Sequence, residues 1–559
     1  MKNSISLLYS QIGYDTGDPK KIFMRSSTAL SDLESAYFEV THYGNYNVPF
    51  KGTLHYWGEC WGSYWWVLDI SEFNGTGEFF IRIYKEGHLL HQSSCFRIGD
   101  NLLWDETVED VALTQMEARA GLARNSVGWK DCGSDWREAN SHASAVIGFC
   151  DLLDLGYENL SLEFKERLMK QLITGCEYLA ACQDKSESLG HPSGSLIHEI
   201  PNHMVVIPGD NLLASIAWTR TSRLFADVDP QKSSSFLKRA VRAYEYMKNE
   251  GKPYGASGFS RLNHGAPDDY IVPDEWMTRD LLQFLWASLE LCTSGLKEYE
   301  EDVFHWASEV LSRQIGKDEA EGGFYGHFRT FSHGDFSEKA NIHHHVGHDT
   351  GGIFPYYIYP FFDMINRWWD RPEAADWKQM IQNFAEGFFL PACTQNPFHL
   401  IPTGYFKNAG LMNFCGPWHG INASICFGAV LSLKLESFTG NKRFRDIAVG
   451  NIQWIAGTNA GISKDIIKGF HIWDIDLPEG ISLPFSMIDG IGNRSVQSWS
   501  KIKGSIVNGF SSNPQFELLK PASTENDGPF YFTDEDWIPH GAAWISALAH
   551  LRQTKFFSS

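Results

Sequence analysis

No two of the ten cysteines stand in a Cys-x-x-Cys pair, and their spacing is nowhere dense. That excludes a zinc ribbon and a disulfide framework as the basis of the fold. No apolar run reaches the roughly 18 residues that a membrane span needs. Positive charge is short as well: 47 Lys and Arg stand against 68 Asp and Glu, a net charge of −21. Such a balance argues against nucleic acid or an anionic membrane as the main partner. With 43% hydrophobic and 21% charged residues in 559, the chain is neither disordered, collagenous nor a coiled coil. What it has in excess is aromatic: 20 Trp, 21 Tyr and 38 Phe. Many fill a core, and an indole face also suits stacking on a sugar ring. The apolar stretch after Met1-Lys2 is too short for a secretory signal, so the chain as it stands is expected in the cytoplasm. A removed leader would make it secreted.

The hydrophobic period divides the chain. Residues 1–100 carry short runs with period-two alternation, such as Ala36–Val40 and Phe79–Tyr84, separated by turn signals that include Asn74-Gly75. About seven such runs predict a small immunoglobulin-like β-sandwich ending near Asp100-Asn101. From residue 101 to 559 the period is helical. Leu168, Leu172 and Leu179 share a face, as do Trp377, Ile381, Phe384 and Phe388, and Leu281, Leu285 and Leu289 after a helix start at Pro273-Asp274-Glu275. Twelve helical stretches are expected, near 107–123, 140–155, 161–182, 210–226, 232–248, 275–293, 298–315, 354–369, 373–389, 420–436, 441–456 and 540–552. Paired antiparallel, they close into an (α/α)6 toroid. The irregular segments 186–209, 318–353 and 457–539 are too long for plain connectors, and in a toroid they gather at one end as a cleft.

Three constellations carry chemistry. Asp131-Cys132-Gly133-Ser134-Asp135-Trp136-Arg137 sets two carboxylates in a glycine-bearing loop before a helix, where they can aim at one water molecule; the same residues also serve as a turn and a cap. Asp534-Glu535-Asp536-Trp537 crowds three acids before the last helix. Mutual repulsion and burial raise one pKa, as a general acid requires, although acids at a helix start are favourable in themselves. The third is His343-His344-His345-Val346-Gly347-His348-Asp349, which suits a substrate cleft, a metal or loop packing. Trp418-His419 before a helix could form a sugar platform or a buried cap.

These segments resemble, in order, the family-nine glycoside hydrolases. Glu535 followed by Gly541-Ala542-Ala543-Trp544-Ile545-Ser546-Ala547-Leu548-Ala549 is similar to that family's catalytic Glu and its small-residue helix. Ile452–Asn459 and Lys503–Gly509 resemble its helix-Gly-x-Asn and glycine-rich segments, and Asp131–Asp135 its Asp-Ala-Gly-Asp loop. Ser10–Asp15 with Lys21-Ile22-Phe23 resembles the opening strands of the preceding immunoglobulin-like domain. The resemblance implies an inverting hydrolase with Glu535 as acid, Asp135 as base and Asp131 as co-holder of the water. Within that reading Trp136, Arg137, His344, His345, His348, Trp418, His419, Trp473 and Trp537 are the candidate substrate contacts. Two departures stand out. The loop aspartates are four apart where the family has three, which leaves Ser134 or Asp135 at the base position. The family's His-His-Arg motif is absent after Gly469-Phe470, where the chain reads His471-Ile472-Trp473-Asp474-Ile475-Asp476, and this counts against cellulose.

The expectation is therefore an exo-acting hydrolase of β-linked gluco- or glucosamine-type oligosaccharides that needs no cofactor, with no metal in the site. A structural metal ion and the oligomeric state stay open. A polysaccharide lyase or sugar epimerase using His343–His348 and a non-catalytic carbohydrate-binding protein are the alternatives.

Overall fold

The computed structural model describes residues 5–30, 33–123, 127–132, 136–156, 158, 160–253, 274–320, 322–329, 331–332, 358–402, 404–406, 410–414, 421–464, 477, 480–511 and 531–557. Ten strands come first: β1 (Ile5–Leu8), β2 (Tyr14–Asp15), β3 (Lys21–Ser26), β4 (Tyr37–His42), β5 (Phe50–Thr53), β6 (His55–Cys60), β7 (Ser63–Asp69), β8 (Gly77–Lys85), β9 (His88–Gln92) and β10 (Phe96–Gly99). They form one sheet in the order β1-β3-β7-β6 and a second in the order β2-β10-β8-β4-β5, with β9 also on β8. The Asn74-Gly75 signal lies in the connection from β7 to β8, which crosses between the sheets and is not a tight hairpin.

Alternation along β3 and β7 explains how the sandwich is seated. Ile22, Met24, Trp66 and Leu68 point into the sandwich core. Their neighbours Phe23 and Trp65 point the other way and join the core of the helical domain. There Phe23 and Trp65 close on Phe398, with ring centroids 4.4 and 5.0 Å away. At β3 and β7 both faces of this sheet are thus buried, and the backbone N–H of Gln11 donates to the Ala456 carbonyl at 2.9 Å to complete the seam.

The helices are α1 (Leu102–Glu109), α2 (Gln115–Leu122), α3 (Ala139–Gly156), α4 (Leu162–Ser188), α5 (Pro208–Phe225), α6 (Pro230–Asn249), α7 (Thr278–Thr293), α8 (Glu300–Leu311), α9 (Tyr359–Arg367), α10 (Glu373–Phe384), α11 (Leu390–Cys393), α12 (Asn422–Thr439), α13 (Arg443–Ala456) and α14 (Ile538–Phe557). A π-helical turn joins α1 to α2 and another joins α10 to α11, so among the described residues the fourteen pieces make twelve rods. Helices α3, α5, α7, α9, α12 and α14 pack each on the next, and α14 returns to α3. This inner ring is closed. Its members are buried nearly all round, as α12 is from Asn422 to Leu433. The outer rods are amphipathic: α6 buries only Phe236, Ala240, Ala243, Tyr244 and Met247, at helical spacing. Local signals set the ends. Ser161 caps α4 by accepting from the Phe164 N–H at 3.1 Å, and Asp229 caps α6 before Pro230. The expected start at Pro273-Asp274-Glu275 is displaced: α7 begins at Thr278, with the Asp280 carboxylate accepting from the Met277 N–H, while Glu275 accepts from the Ser332 N–H instead. No helix among the described residues is long and apolar enough to cross a membrane.

Ring closure depends on backbone approach between α3 and α14. A Cβ on Gly148 would stand 2.7 Å from the Ala542 carbonyl oxygen. Gly148→Val is therefore expected to force the first and last inner helices apart. It should lower stability by about 1–3 kcal/mol through overpacking, read as a shifted urea midpoint. An unchanged midpoint would show that the contact is not tight.

Candidate active site

The closed ring brings together segments that are remote in sequence. Asp131 and Glu138, before α3, and Trp537, just before α14, come together where these two packed helices begin. The segment before α14 is also a strand: β11 (Gly404–Phe406) and β12 (Gly410–Met412) pair elsewhere, and β13 (Val507–Ser511) pairs antiparallel with β14 (Tyr531–Asp536).

Asp131 and Glu138 meet on one donor. The Trp537 indole N–H points at Asp131 Oδ2 and Glu138 Oε2, each 3.0 Å away. Ser141 Oγ donates to the same Asp131 oxygen at 2.8 Å. Behind Glu138 lies His198, whose Nε2 is 3.6 Å from Glu138 Oε1 and whose Nδ1 is 2.7 Å from Asp210 Oδ2. Burial works against charge on this imidazole, but the charge and hydrogen bond of Asp210, reinforced by Glu138, hold its pKa well above the usual histidine range. Burial likewise opposes charge on Glu138. The hydrogen bond and charge of His198 overcome it and hold Glu138 below the ordinary carboxylate range. Asp131 is pushed the opposite way, well up, first by burial and then by the Glu138 charge. Of the two, Glu138 is thus the acid whose surroundings favour its charge, and Asp131 the one whose surroundings favour its proton.

Glu535 faces this pair. Its pKa is pushed up to about 7, mainly by burial, with the Glu138 and Asp536 charges adding to the rise. An Asn508 Nδ2–H donates to Glu535 Oε2 at 2.9 Å and works against the rise, as does a hydrogen bond with Cys132. The crowding expected among Asp534, Glu535 and Asp536 is only a minor cause. Asp536 is neutralised by Arg119, with Nη2 to Oδ2 at 2.5 Å and both side chains buried. Arg119 also donates to the backbone carbonyls of Lys130 and Asp131, at 3.2 and 2.6 Å. One guanidinium thus ties the loop before α3 to the strand before α14.

The sequence-predicted residues divide into three groups. Glu535, Asp131 and Trp537 come together, and Trp537 is 9% exposed with its N–H engaged by the carboxylates. Trp136 borders the same loop, its ring edge-on to His203 with centroids 4.3 Å apart. Arg137 turns back to scaffold: its Nη2 donates to the Ile200 carbonyl at 3.1 Å, and its guanidinium lies 5.8 Å above the Tyr178 ring. Asp135, His344, His345, His348, Trp418, His419 and Trp473 lie outside the described residues. Sequence reading missed Glu138, His198, Asp210, Asn508 and Arg119. Glu138 carried a signal, since it is a further acid on the same loop. It also missed Trp499, which is 55% exposed beside the strand that carries the acid, its backbone N–H donating to the Asp534 carbonyl at 3.0 Å. Among the described residues no group of three His, Cys, Asp or Glu is placed to hold a metal ion.

The raised Glu535 pKa has a thermodynamic sign. A carboxyl that titrates at about 7 when folded and near 4.3 when unfolded stabilises the fold most when protonated. That contribution is whole below the unfolded pKa and is lost as pH rises through the folded one. Glu535→Gln, neutral at every pH, is expected to match the wild-type melting temperature at about pH 4 and to exceed it at about pH 8. Equal melting temperatures at both values would contradict the raised pKa.

No protein-family model and no curated protein matches the sequence. Solved structures do match. A metagenome-derived glycoside hydrolase family 9 endoglucanase superposes with a TM-score of 0.66 at 16% identity, over 98% of both chains. The family 9 endoglucanase J30 gives 0.63 at 15% identity, over 96% of this chain and 99% of its own. A single mutant of a thermostable endoglucanase from Alicyclobacillus acidocaldarius gives 0.58 at 14%, over 98% and 99%. The chain therefore has the fold of the family 9 glycoside hydrolases, an immunoglobulin-like sandwich followed by a helical barrel, over nearly its whole length.

Proposed function

We propose that the protein is an inverting glycoside hydrolase of β-linked gluco- or glucosamine-type oligosaccharides. The observation that carries the reading is Glu535, a half-buried carboxyl with a pKa pushed up to about 7, facing a pair of acids of which Asp131 is held above and Glu138 below the ordinary carboxylate range. A glycosidic oxygen leaves readily only if it receives a proton, and a carboxyl still largely protonated near neutrality supplies one. On the other side of the sugar, water needs a carboxylate to take its proton. The loop 131–138 offers Asp131, Glu138 and, from the sequence reading, Asp135. Inversion needs the acid and base roughly 6.5–9.5 Å apart, with the water between them. Each turnover moves one proton from Glu535 to the leaving oxygen and one from water to the base, so no cofactor is required.

The substrate class rests on the fold shared with named endoglucanases and on local chemistry. The departure at 471–476 favours a substrate other than long cellulose, and we infer exo-action on short chains. An exposed indole at Trp499 beside the acid suits stacking under a pyranose ring. The carboxylates about the mouth accommodate a cationic amino sugar as well as a neutral one.

Two outcomes test this. Glu535→Gln should lower turnover of β-linked gluco- or glucosamine oligosaccharides by about 10²–10⁴-fold while leaving binding within a few-fold. NMR of the first wild-type product should show the α-anomer. A β-anomer, or an unaffected Glu535→Gln enzyme, contradicts the assignment. Trp499→Ala should raise KM several-fold with kcat retained, and an unchanged KM would remove the indole from the substrate path.

A further inference from the structure

Behind the acid runs a line of hydrogen bonds whose direction is fixed at its far end. The Ala423 backbone N–H, in the first turn of α12, points at His540 Nδ1 from 2.8 Å. A backbone N–H can only donate, so Nδ1 is the bare nitrogen and Nε2 carries the hydrogen. His540 Nε2 lies 2.7 Å from Asn508 Oδ1, so the imidazole donates there. With its carbonyl oxygen so engaged, Asn508 presents its NH₂ group to Glu535, where Nδ2 donates to Oε2 at 2.9 Å. Three elements thus define one rotamer of one amide: α12, the start of α14 and β13. The amide is fully buried and His540 is 2% exposed, so water does not compete for either.

We propose that His540 is a positioning residue for the acid: through its ring it holds Asn508 with the amide N–H, not the amide oxygen, turned to Glu535. This rests on the reading of Glu535 as the proton donor and extends it. The consequence is directional. An N–H donor stabilises the carboxylate that remains once Glu535 has given its proton to the leaving oxygen. An amide oxygen in its place would bind only the protonated form and hold the proton back. The ring is suited to a permanent role because burial pushes its own pKa down to about 3, so it stays neutral and keeps its tautomer wherever Glu535 titrates. The other groups facing Glu535 are Glu138 and Cys132 from the segment before α3, and Asp536 on its own strand, which is paired with Arg119. Those facing His540 are Asn508, the Ala423 N–H and the Trp537 ring, edge-on with centroids 5.9 Å apart.

The test reads Glu535 directly. With the full chain labelled at the glutamate carboxyl carbon, the Glu535 resonance is identified by its loss in Glu535→Gln and titrated in wild type, His540→Leu, His540→Gln and Asn508→Ala. His540→Leu and Asn508→Ala should move the Glu535 midpoint upward by about half to one pH unit. His540→Gln, which keeps an N–H donor in the ring's place, should restore much of the wild-type value. In turnover the same variants should lose about tenfold on oligosaccharides, whose leaving group needs the proton. On dinitrophenyl glycosides, which need little help, they should lose far less. A Glu535 midpoint unmoved in folded His540→Leu overturns the proposal, as does an equal loss on both substrate types. Because the titration does not depend on turnover, a protein that hydrolyses none of these sugars would refute the proposed function while the titration still decides the role of His540.

Discussion

A single buried guanidinium holds the two halves of the site in place. Arg119, on α2, reaches Asp536 before the last inner helix and the carbonyls of Lys130 and Asp131 before the first. Its Nε donates to Gln115 Oε1 and its Nη2 to Ser505 Oγ, so the charge is surrounded by acceptors in a region closed to water. A buried ion pair adds little net stability over well-packed apolar residues, but removing one partner costs about 3–5 kcal/mol because the other is left charged and dry. What the pair secures here is position. Asp536 and the Asp131 backbone have a common anchor, which fixes Glu535, next along the strand from Asp536, relative to Asp131.

The same anchor divides labour among neighbouring acids. Glu535 and Asp536 are consecutive on a strand, so they face opposite sides. Asp536 turns inward and pairs with Arg119. Glu535 turns to the mouth, where no cation among the described residues pairs with it, and burial and the Glu138 charge raise its pKa. Across from it a second division is made. The hydrogen bond and charge of His198, itself raised by the buried Asp210, hold Glu138 down, while burial and the Glu138 charge push Asp131 up. Acids that are chemically alike thus differ in proton affinity through their surroundings alone.

How far this was legible in the sequence follows from the range of the forces involved. Helical rods are written in local periodicity: Trp377, Ile381, Phe384 and Phe388 are all buried as their spacing requires. The two-sided sheet was less readable. Alternation in Ile22-Phe23-Met24 says that the faces differ, not that the second face is covered by Phe398, nearly 400 positions away. At the site, Glu535 and Asp131 announced themselves by resemblance and by their place before helices. His198 and Asp210 did not, and Glu138 showed only as a further acid on the Asp131 loop, because nothing local distinguishes an acid that will meet an imidazole from a solvated one. Arg119 is one basic residue on one turn of helix until the ring closes and sets it against Asp536. Trp537 was read as a sugar contact from its side-chain type, and its position shows an indole engaged as a donor to two carboxylates.

The central claim is that a sugar ring is attacked between Glu535 and the carboxylates of the 131–138 segment. A crystal structure of the protein with a cationic monosaccharide analogue, whose ring nitrogen mimics the charge of the transition state, tests it most directly. The account predicts the ring at the barrel mouth, Glu535 within hydrogen-bond distance of the position of the leaving oxygen, and a water on the opposite face held by a carboxylate from 131–138. That carboxylate should stand about 6.5–9.5 Å from Glu535. An analogue bound away from Glu535, or a carboxylate only about 5 Å from it with no room for water, would contradict the account.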